Sequence, residues 1–412
     1  MTTLPQSRVL LLDITGHDKA GVTHSLTAIL SAHGARILDI GQAVIHDALA
    51  LGILVELTEE MRSSALLTEL LLKAHELHMQ IRFTAISEAD YGDWVRAQSK
   101  RRFLLTLLGP FITAEHLTEA SGIASSHGLN IDRIDRLSGR TPLPPMGEET
   151  APGRVCVELA VSGDTADEDA IRSELMRMTT SHELDIAFQH DNVYRRNRRL
   201  VAFDMDSTLI QGEVIDELAK LAGVGEQVQA ITESAMRGEL DFQASFRKRV
   251  SLLKGLRAEA LDEVVRRVPL MDGAERLIGT LRRLGYKTAI LSGGFTFFGR
   301  SLQQRLGIDY LHANELAIEN GVVTGEVIPP IVDGARKAAM LQEIALTEKL
   351  SMEQVIAVGD GANDLPMLRL AGLGIAFRAK PVVRENARQA ISKLGLDGIL
   401  YLLGVRDRDT EI

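Results

Sequence analysis

Four short apolar runs decide what the second half of this chain can become: LVAFDMD from Leu200, KTAILSGG from Lys287, QVIAVGDG from Gln354 and LGIAF from Leu373. Each is short, almost free of polar residues until its end, and separated from the next by a segment long enough for a helix. Strands without polar alternation are buried on both faces, so these four predict a parallel sheet covered by helices on either side. Such sheets carry their sites beyond the carboxyl ends of the strands. Three of the runs end there on conspicuous residues: Asp204 and Asp206, then Ser292-Gly293-Gly294, then Asp360-Gly361 with Asn363 and Asp364. A hydrophobic core has no use for two carboxylates at a strand end.

Between the first and second runs, the stretch at about 212–268 is polar, charged and helix-periodic with no clear strand, so it reads as a helical insertion. Asn320-Gly321, between alternating runs, predicts a hairpin. The first half has a different character and contains a faint repeat: SAHGARILDI (Ser31 to Ile40) returns as SSHGLNIDRI (Ser125 to Ile134). Each copy sits in the same succession of strand-like and helix-like runs, which gives βαββαβ twice, an α+β module with its helices on one face of a sheet. The Pro- and Gly-rich segment Gly139 to Arg154 reads as a loop inside the second copy. The repeated His33 and His127 fit helix-end packing or capping better than ligation. We therefore divide the chain into 1–95, 96–191 and 192–412. The run Tyr194 to Leu200, with its four arginines, reads as a solvated linker.

At 412 residues the chain is long enough for two or three cores, and 45% hydrophobic with 25% charged residues is a globular composition. A formal net charge of −10 argues against a nucleic-acid backbone as partner, and no apolar run is long enough to span a membrane. The single cysteine, Cys156, excludes an internal disulfide framework and fits a cytoplasmic setting; in the alternating run RVCVEL it reads as a small buried apolar residue.

A phosphate ester needs the groups gathered at those strand ends. Its transferred group keeps negative charge throughout, so the site must hold cations and hydrogen-bond donors in fixed places. Carboxylates such as Asp204 and Asp360 suit Mg2+, Lys337 supplies a point charge, and the Ser292 hydroxyl with the Gly293-Gly294 backbone can donate to phosphate oxygens. One aspartate of the Asp204/Asp206 pair can attack phosphorus while the other donates a proton to the ester oxygen.

DMDST, LSGGF, the lysine of DGARKAAML and GDGANDLPML resemble, in order and spacing, the four motifs of the haloacid dehalogenase superfamily of phosphatases, over Leu200 to about Leu403. GEVIDELA and AMRGELDFQASFRKRVSLLKGL extend the likeness to the phosphoserine phosphatase family. That resemblance implies an α/β, Rossmann-like phosphatase core with a helical cap. It implies Asp204 as nucleophile and Asp206 as general acid/base, with Mg2+ on Asp204, Asp360 and the Asp206 carbonyl. Ser292, Gly293, Lys337 and Asn363 would hold the phosphate, and Asp364 would orient the metal's neighbours. Glu213 would meet the substrate ammonium and Arg249 its carboxylate, under a lid of Met236 and Phe242.

In the first half, TGHDKAGVTHSL (Thr15 to Leu26) resembles the effector loop of the ACT family of small-molecule regulatory domains, whose ferredoxin-like fold agrees with the βαββαβ pattern. Asp18 and the helix N-terminus at Gly21 are the implied effector contacts. The second copy lacks the Asp-x-x-Gly arrangement. The whole chain resembles the long, tandem-ACT form of the phosphoserine phosphatase family, of actinobacterial and mycobacterial type. It implies O-phospho-L-serine as substrate, L-serine as amino-acid effector and a homodimer. Transfer of the phosphoryl group to another alcohol, hydrolysis of phosphoserine in proteins, and an amino-acid sensor with a remnant phosphatase half are the alternatives. The remnant is disfavoured because Asp204, Asp206, Lys337 and Asp360 are all present.

Overall fold

The computed structural model describes residues 8–58, 64–143, 153–164, 167–237 and 239–410. The chain divides into two compact units, Met1–Lys100 and Arg101–Ile412. Most of the Pro- and Gly-rich loop, 144–152, lies outside the described residues.

The first unit contains β1 (Val9–His17), α1 (Val22–Ala32), β2 (Arg36–Ile45), β3 (Ala48–Glu56), α2 (Ser64–Glu76), β4 (Met79–Ile86) and α3 (Glu88–Ala97). Its sheet is antiparallel in the order β2-β3-β1-β4. Alternation sets its two faces: Leu10, Leu12 and Ile14 point inward onto Val22, Leu26 and Leu30 of α1 and Leu66, Leu70 and Ala74 of α2. Asp13, on the outer face, instead pairs with Arg82 at 2.9 Å.

The second unit opens with β5 (Arg102–Gly109), α4 (Ala114–Ser126), β6 (Asn130–Arg136), β7 (Val155–Ser162), α5 (Glu168–Ser181) and β8 (Asp185–His190), again with an antiparallel sheet, β6-β7-β5-β8. The repeat read from sequence extends to fine detail. Both copies carry a register shift in the strand after the first helix, between Ile37 and Asp39 and between Ile131 and Arg133. His33 and His127 both cap a helix C-terminus, and each reaches a glutamate of the next helix, Glu69 at 3.1 Å and Glu174 at 3.3 Å.

The copies differ on their outer faces. β5 is buried on both sides, and Leu108, Leu137, Cys156 and Ala187 belong to the same apolar cluster as the core of the chain's second half. That core is a seven-stranded sheet, β12-β11-β10-β9-β13-β14-β15. Strand β9 (Leu200–Phe203) lies at its centre and is followed by α6 (Val214–Leu221), α7 (Gly225–Met236), α8 (Phe242–Ser251), α9 (Glu259–Arg267) and α10 (Ala274–Arg283). Next come β10 (Lys287–Phe295), α11 (Thr296–Leu306), the hairpin β11 (Tyr310–Glu319) and β12 (Val322–Ile328), α12 (Gly334–Thr347) and β13 (Val355–Gly359). The chain continues through α13 (Leu365–Leu370), β14 (Leu373–Phe377), α14 (Pro381–Asn386), β15 (Gln389–Ile391) and α15 (Ile399–Leu402). All neighbouring pairs are parallel except β11 with β12. Asn320 and Gly321 turn that hairpin at φ 51° and 76°.

Edge strand β8 meets edge strand β15 through side chains. Gln389 accepts from Phe188 N–H at 3.0 Å and donates to its carbonyl at 2.6 Å, while Asp185 accepts from the backbone of Ser392 and Lys393 at 2.7 and 2.6 Å. The arginine run before β9 corrects the solvated-linker expectation. Arg196 and Arg199 are exposed, but Arg195 is buried in an ion pair with the buried Glu158 of β7, and Arg198 is buried as well. Among the described residues no helix is long and apolar enough to cross a membrane.

Candidate active site

Strand β9 ends at Phe203, so Asp204 stands just past the central strand, its N–H still bonded to Val358 of β13 at 2.9 Å. β13 in turn ends at Gly359, directly before Asp360. The chain turns sharply after Asp206, with Ser207 at φ 56° and its N–H on the Gly212 carbonyl at 2.9 Å. This turn separates the two aspartates. The Asp204 carboxylate accepts from Met205 N–H at 2.7 Å and faces Lys337; the Asp206 carboxylate accepts from Val214 N–H, at the start of α6, at 2.8 Å.

Lys337, on the first turn of α12 behind the Asp333 N-cap, is fully buried and has two carboxylate partners, Asp204 at 2.9 Å and Asp364 at 2.7 Å. Burial alone would lower its pKa; the two carboxylates outweigh burial and raise it, so the ammonium stays charged. Asp364 also accepts from Gly361 N–H at 3.0 Å, which fixes the loop after β13.

Acceptor oxygens of Asp204, Asp360 and Asp364 all lie within 4.8 Å of one another. Burial, then the neighbouring Asp204 and Asp364, push Asp360 up to about 8, and burial with Asp204 also raises Asp206 well above the carboxylate range. One lysine does not neutralise this many acids. The oxygen-only donor set and the excess of negative charge fit a hard divalent cation such as Mg2+. The Asp206 side chain is outside the converging triad, which leaves its carboxylate free for another task.

The strand end of β10 closes the opposite wall. Ser292 is buried, and its hydroxyl accepts from Gly294 N–H at 2.9 Å, so that amide is already engaged inside the loop. Asn363 folds back over Gly361, where an added Cβ would stand 2.3 Å from its Oδ1. The helical insertion then covers the site. The Phe242 ring lies over Gly293, 3.1 Å from where a Cβ would stand, and Gln243 reaches Asp333 at 2.7 Å. Glu213, the N-cap of α6, and Arg249 of α8 face each other at 3.7 Å, and the buried Arg249 Nε has no hydrogen-bond partner among the described residues. Met236 ends α7, but its side chain lies outside the described residues. Asp18 and Gly21 belong to the first unit: Gly21 is the N-cap of α1 at φ 94° with no side-chain cap, and Asp18 is exposed beside it.

Two residues that sequence reasoning passed over complete the frame. Asn314 of β11, 1% exposed, donates to the Gly293 carbonyl at 2.7 Å and accepts from Val332 N–H at 2.8 Å. Thr208, also buried, lies 3.5 Å from Asp360. A lone asparagine in the strand YLHANELAIE was the available signal for the first; Thr208, next to the aspartates, was the signal for the second.

A haloacid dehalogenase-like hydrolase model matches residues 201–369, and an ACT domain model matches residues 8–84. Phosphoserine phosphatase SerB2 of Mycobacterium tuberculosis is 39% identical over 409 residues, 99% of this chain and 96% of that one. The chain belongs to the phosphoserine phosphatase family. Within that family, the phosphoserine phosphatase of Streptomyces coelicolor is 41% identical over 98% of this chain and 93% of its own length. Among solved structures, a probable phosphoserine phosphatase from Vibrio cholerae matches 73% of this chain and 86% of its own, with a TM-score of 0.58 at 34% identity. A haloacid dehalogenase family hydrolase from Salmonella enterica matches 73% of this chain and 98% of its own, with a TM-score of 0.61 at 32% identity.

Proposed function

We propose that the chain hydrolyses O-phospho-L-serine to L-serine and phosphate, the last step of serine biosynthesis, with Mg2+ held by Asp204, Asp360 and the Asp206 carbonyl. The observation that carries the substrate is the Glu213–Arg249 pair over the aspartates. An amino acid is a zwitterion, and it needs one fixed anion and one fixed cation at the mouth of a phosphate site. Arg249 has a buried donor with no partner, and a substrate carboxylate would satisfy it. The names of the whole-length relatives agree with this reading.

In this reading the Asp204 carboxylate attacks phosphorus, forming an O–P bond as the bond to the serine oxygen breaks. Asp206, protonated and held by Val214 N–H, delivers its proton to that oxygen. Water then attacks the phosphorus of the acyl phosphate, Asp206 takes its proton, and Asp204 leaves as carboxylate. Lys337, Ser292, the Gly293 N–H and Asn363 bind the phosphoryl oxygens, and Asp364 keeps Lys337 in place. When bound, Mg2+ supplies the positive charge that lets a carboxylate approach an anionic phosphate. Phe242 and, by resemblance, Met236 exclude bulk water.

We further propose regulation by L-serine at the first unit. The α1 N-terminus at Gly21 has backbone N–H groups without a side-chain cap, which suits a carboxylate, and Asp18 beside it suits an ammonium. The second copy has no such opening: Thr113 caps α4 and exchanges hydrogen bonds with His116. Pairing through the exposed edge strand β2, with Ile37, Ile40 and Ile45 in contact with water, would make the homodimer.

Phosphate release from O-phospho-L-serine tests this directly. We expect turnover with Mg2+, loss of turnover on chelation, recovery on adding the ion back, and suppression by L-serine that Asp18→Ala relieves. Turnover that survives complete chelation contradicts the metal assignment, and suppression unchanged in Asp18→Ala contradicts the effector site.

A further inference from the structure

The second unit contains a cleft of about 840 Å3 lined by α5, β8 and the segment from α14 into β15, with none of Asp204, Asp206, Lys337 or Asp360 among its lining residues. Its floor is apolar, with Met176, Ile186 and Phe188 on one side and Ala387 on the other. Its polar lining mixes four arginines with three acids, Glu168, Asp169 and Glu385, and several neutral side chains. Arg172, Arg177, Arg384 and Arg388 all border it.

Arg172 of α5 lines the cleft. Its guanidinium lies 5.6 Å above the Phe188 ring, and its buried Nε has no hydrogen-bond partner among the described residues. The nearest carboxylate, Glu168, is 3.6 Å away and is shared with Arg101 at 3.6 Å and His190 at 3.2 Å. Burial lowers the Arg172 pKa, Glu168 opposes the shift, and Arg388 from the other wall adds to it. Arg388 is exposed and forms no ion pair among the described residues. The cost lies with the buried Arg172 Nε: a buried donor without a partner destabilises the fold until a ligand oxygen accepts from it, whereas the exposed Arg388 is solvated.

We propose that this cleft binds a small molecule with an acid group on a flat apolar body, the acid held between Arg172 and Arg388 and the body against Phe188, Ile186 and Met176. A bare inorganic anion would leave most of a cavity this large unfilled, whereas cavities of this size take ligands with a mostly apolar surface. The ligand would bridge the second α+β copy and the last strand of the phosphatase sheet.

The probe is 8-anilinonaphthalene-1-sulfonate, whose fluorescence rises in apolar surroundings, titrated into the full chain. We expect one saturable site per chain, weakened about tenfold or more in Arg388→Gln and in Arg172→Gln, the loss due to one charge-assisted hydrogen bond. Arg388 is exposed, so Arg388→Gln is expected to keep the wild-type Tm, and phosphatase turnover without the probe should stay within about twofold. Naphthalene-1-sulfonate should raise the Tm of the wild type and not that of Arg388→Gln, since a ligand bound only to the folded state stabilises it. Equal probe affinity in the wild type and Arg388→Gln, or equal Tm shifts, would overturn the proposal.

Discussion

Gly294 and Gly359 set how closely the acidic side chains stand to the backbone. A Cβ at Gly294 would lie 2.4 Å from Asp206 Oδ2 and 2.6 Å from Met205 Cε; at Gly359 it would lie 2.4 Å from Asp364. Gly294→Ala should therefore displace Asp206, the proposed proton donor, and lower kcat by roughly 100-fold, the cost of misplacing a reacting group by about an ångström. Steady-state kinetics beside a thermal melt will separate this from unfolding. Asn314→Ala removes two buried hydrogen bonds, one to the Gly293 carbonyl and one from Val332 N–H ahead of α12, so it should cost about 1–3 kcal/mol of stability and raise KM more than it lowers kcat. Asp206→Asn should keep O-phospho-L-serine binding while abolishing turnover, which a binding titration beside the rate assay will show. The aspartates were legible because a carboxylate pair at the end of an apolar strand has no structural use. Asn314 was not. Its partners at Gly293 and Val332 are distant in sequence, and one polar residue in a strand is as often solvated as buried.

The elements were legible wherever one periodicity ran unbroken. The parallel strands, the helices after β9, the Asn320-Gly321 hairpin and the duplicated βαββαβ unit all follow from local pattern. What local pattern could not supply was how the second copy attaches. Its trace was nevertheless present in two strands: on its outer face VLLLDITGH has Asp13 half-buried and Thr15 exposed, whereas RFLLTLLG buries Leu104, Thr106 and Leu108 on the corresponding face and is buried on both sides. The arginine run misled for a related reason. A charge run is usually solvated, but Arg195 finds Glu158 on a strand that only the tertiary fold brings near. Arg195→Ala leaves that glutamate buried and unpaired, which should cost about 3–5 kcal/mol at about pH 7. Burial, against the pull of Arg195, already holds Glu158 above its ordinary value of 4.5. A carboxyl raised in the folded state binds more protons folded than unfolded in the window above 4.5, so its contribution to stability falls as pH rises through that window. Removing Arg195 extends the window upward. The deficit of the variant should shrink at about pH 5, as denaturant melts at the two pH values will show.

For the whole molecule, the attachment means that the phosphatase half is not free of what precedes it. Leu108, Leu137, Cys156 and Ala187 share a core cluster with Val201, Phe203 and the helices after β9. A chain starting at Arg101 should stay monodisperse and active, whereas one starting at Asn192 exposes that apolar face and should aggregate or melt lower in light scattering and calorimetry. The central claim is that this site takes a free phosphorylated amino acid, and Arg249 decides it. Rates for O-phospho-L-serine and for p-nitrophenyl phosphate, measured on the wild type and on Arg249→Ala, form the most direct test. Loss of the buried cation should cut kcat/KM for phosphoserine by about 100-fold or more and leave the aryl phosphate within a few-fold. Equal losses on both substrates would contradict the account, because Arg249 would then be holding the cap and not the substrate carboxylate.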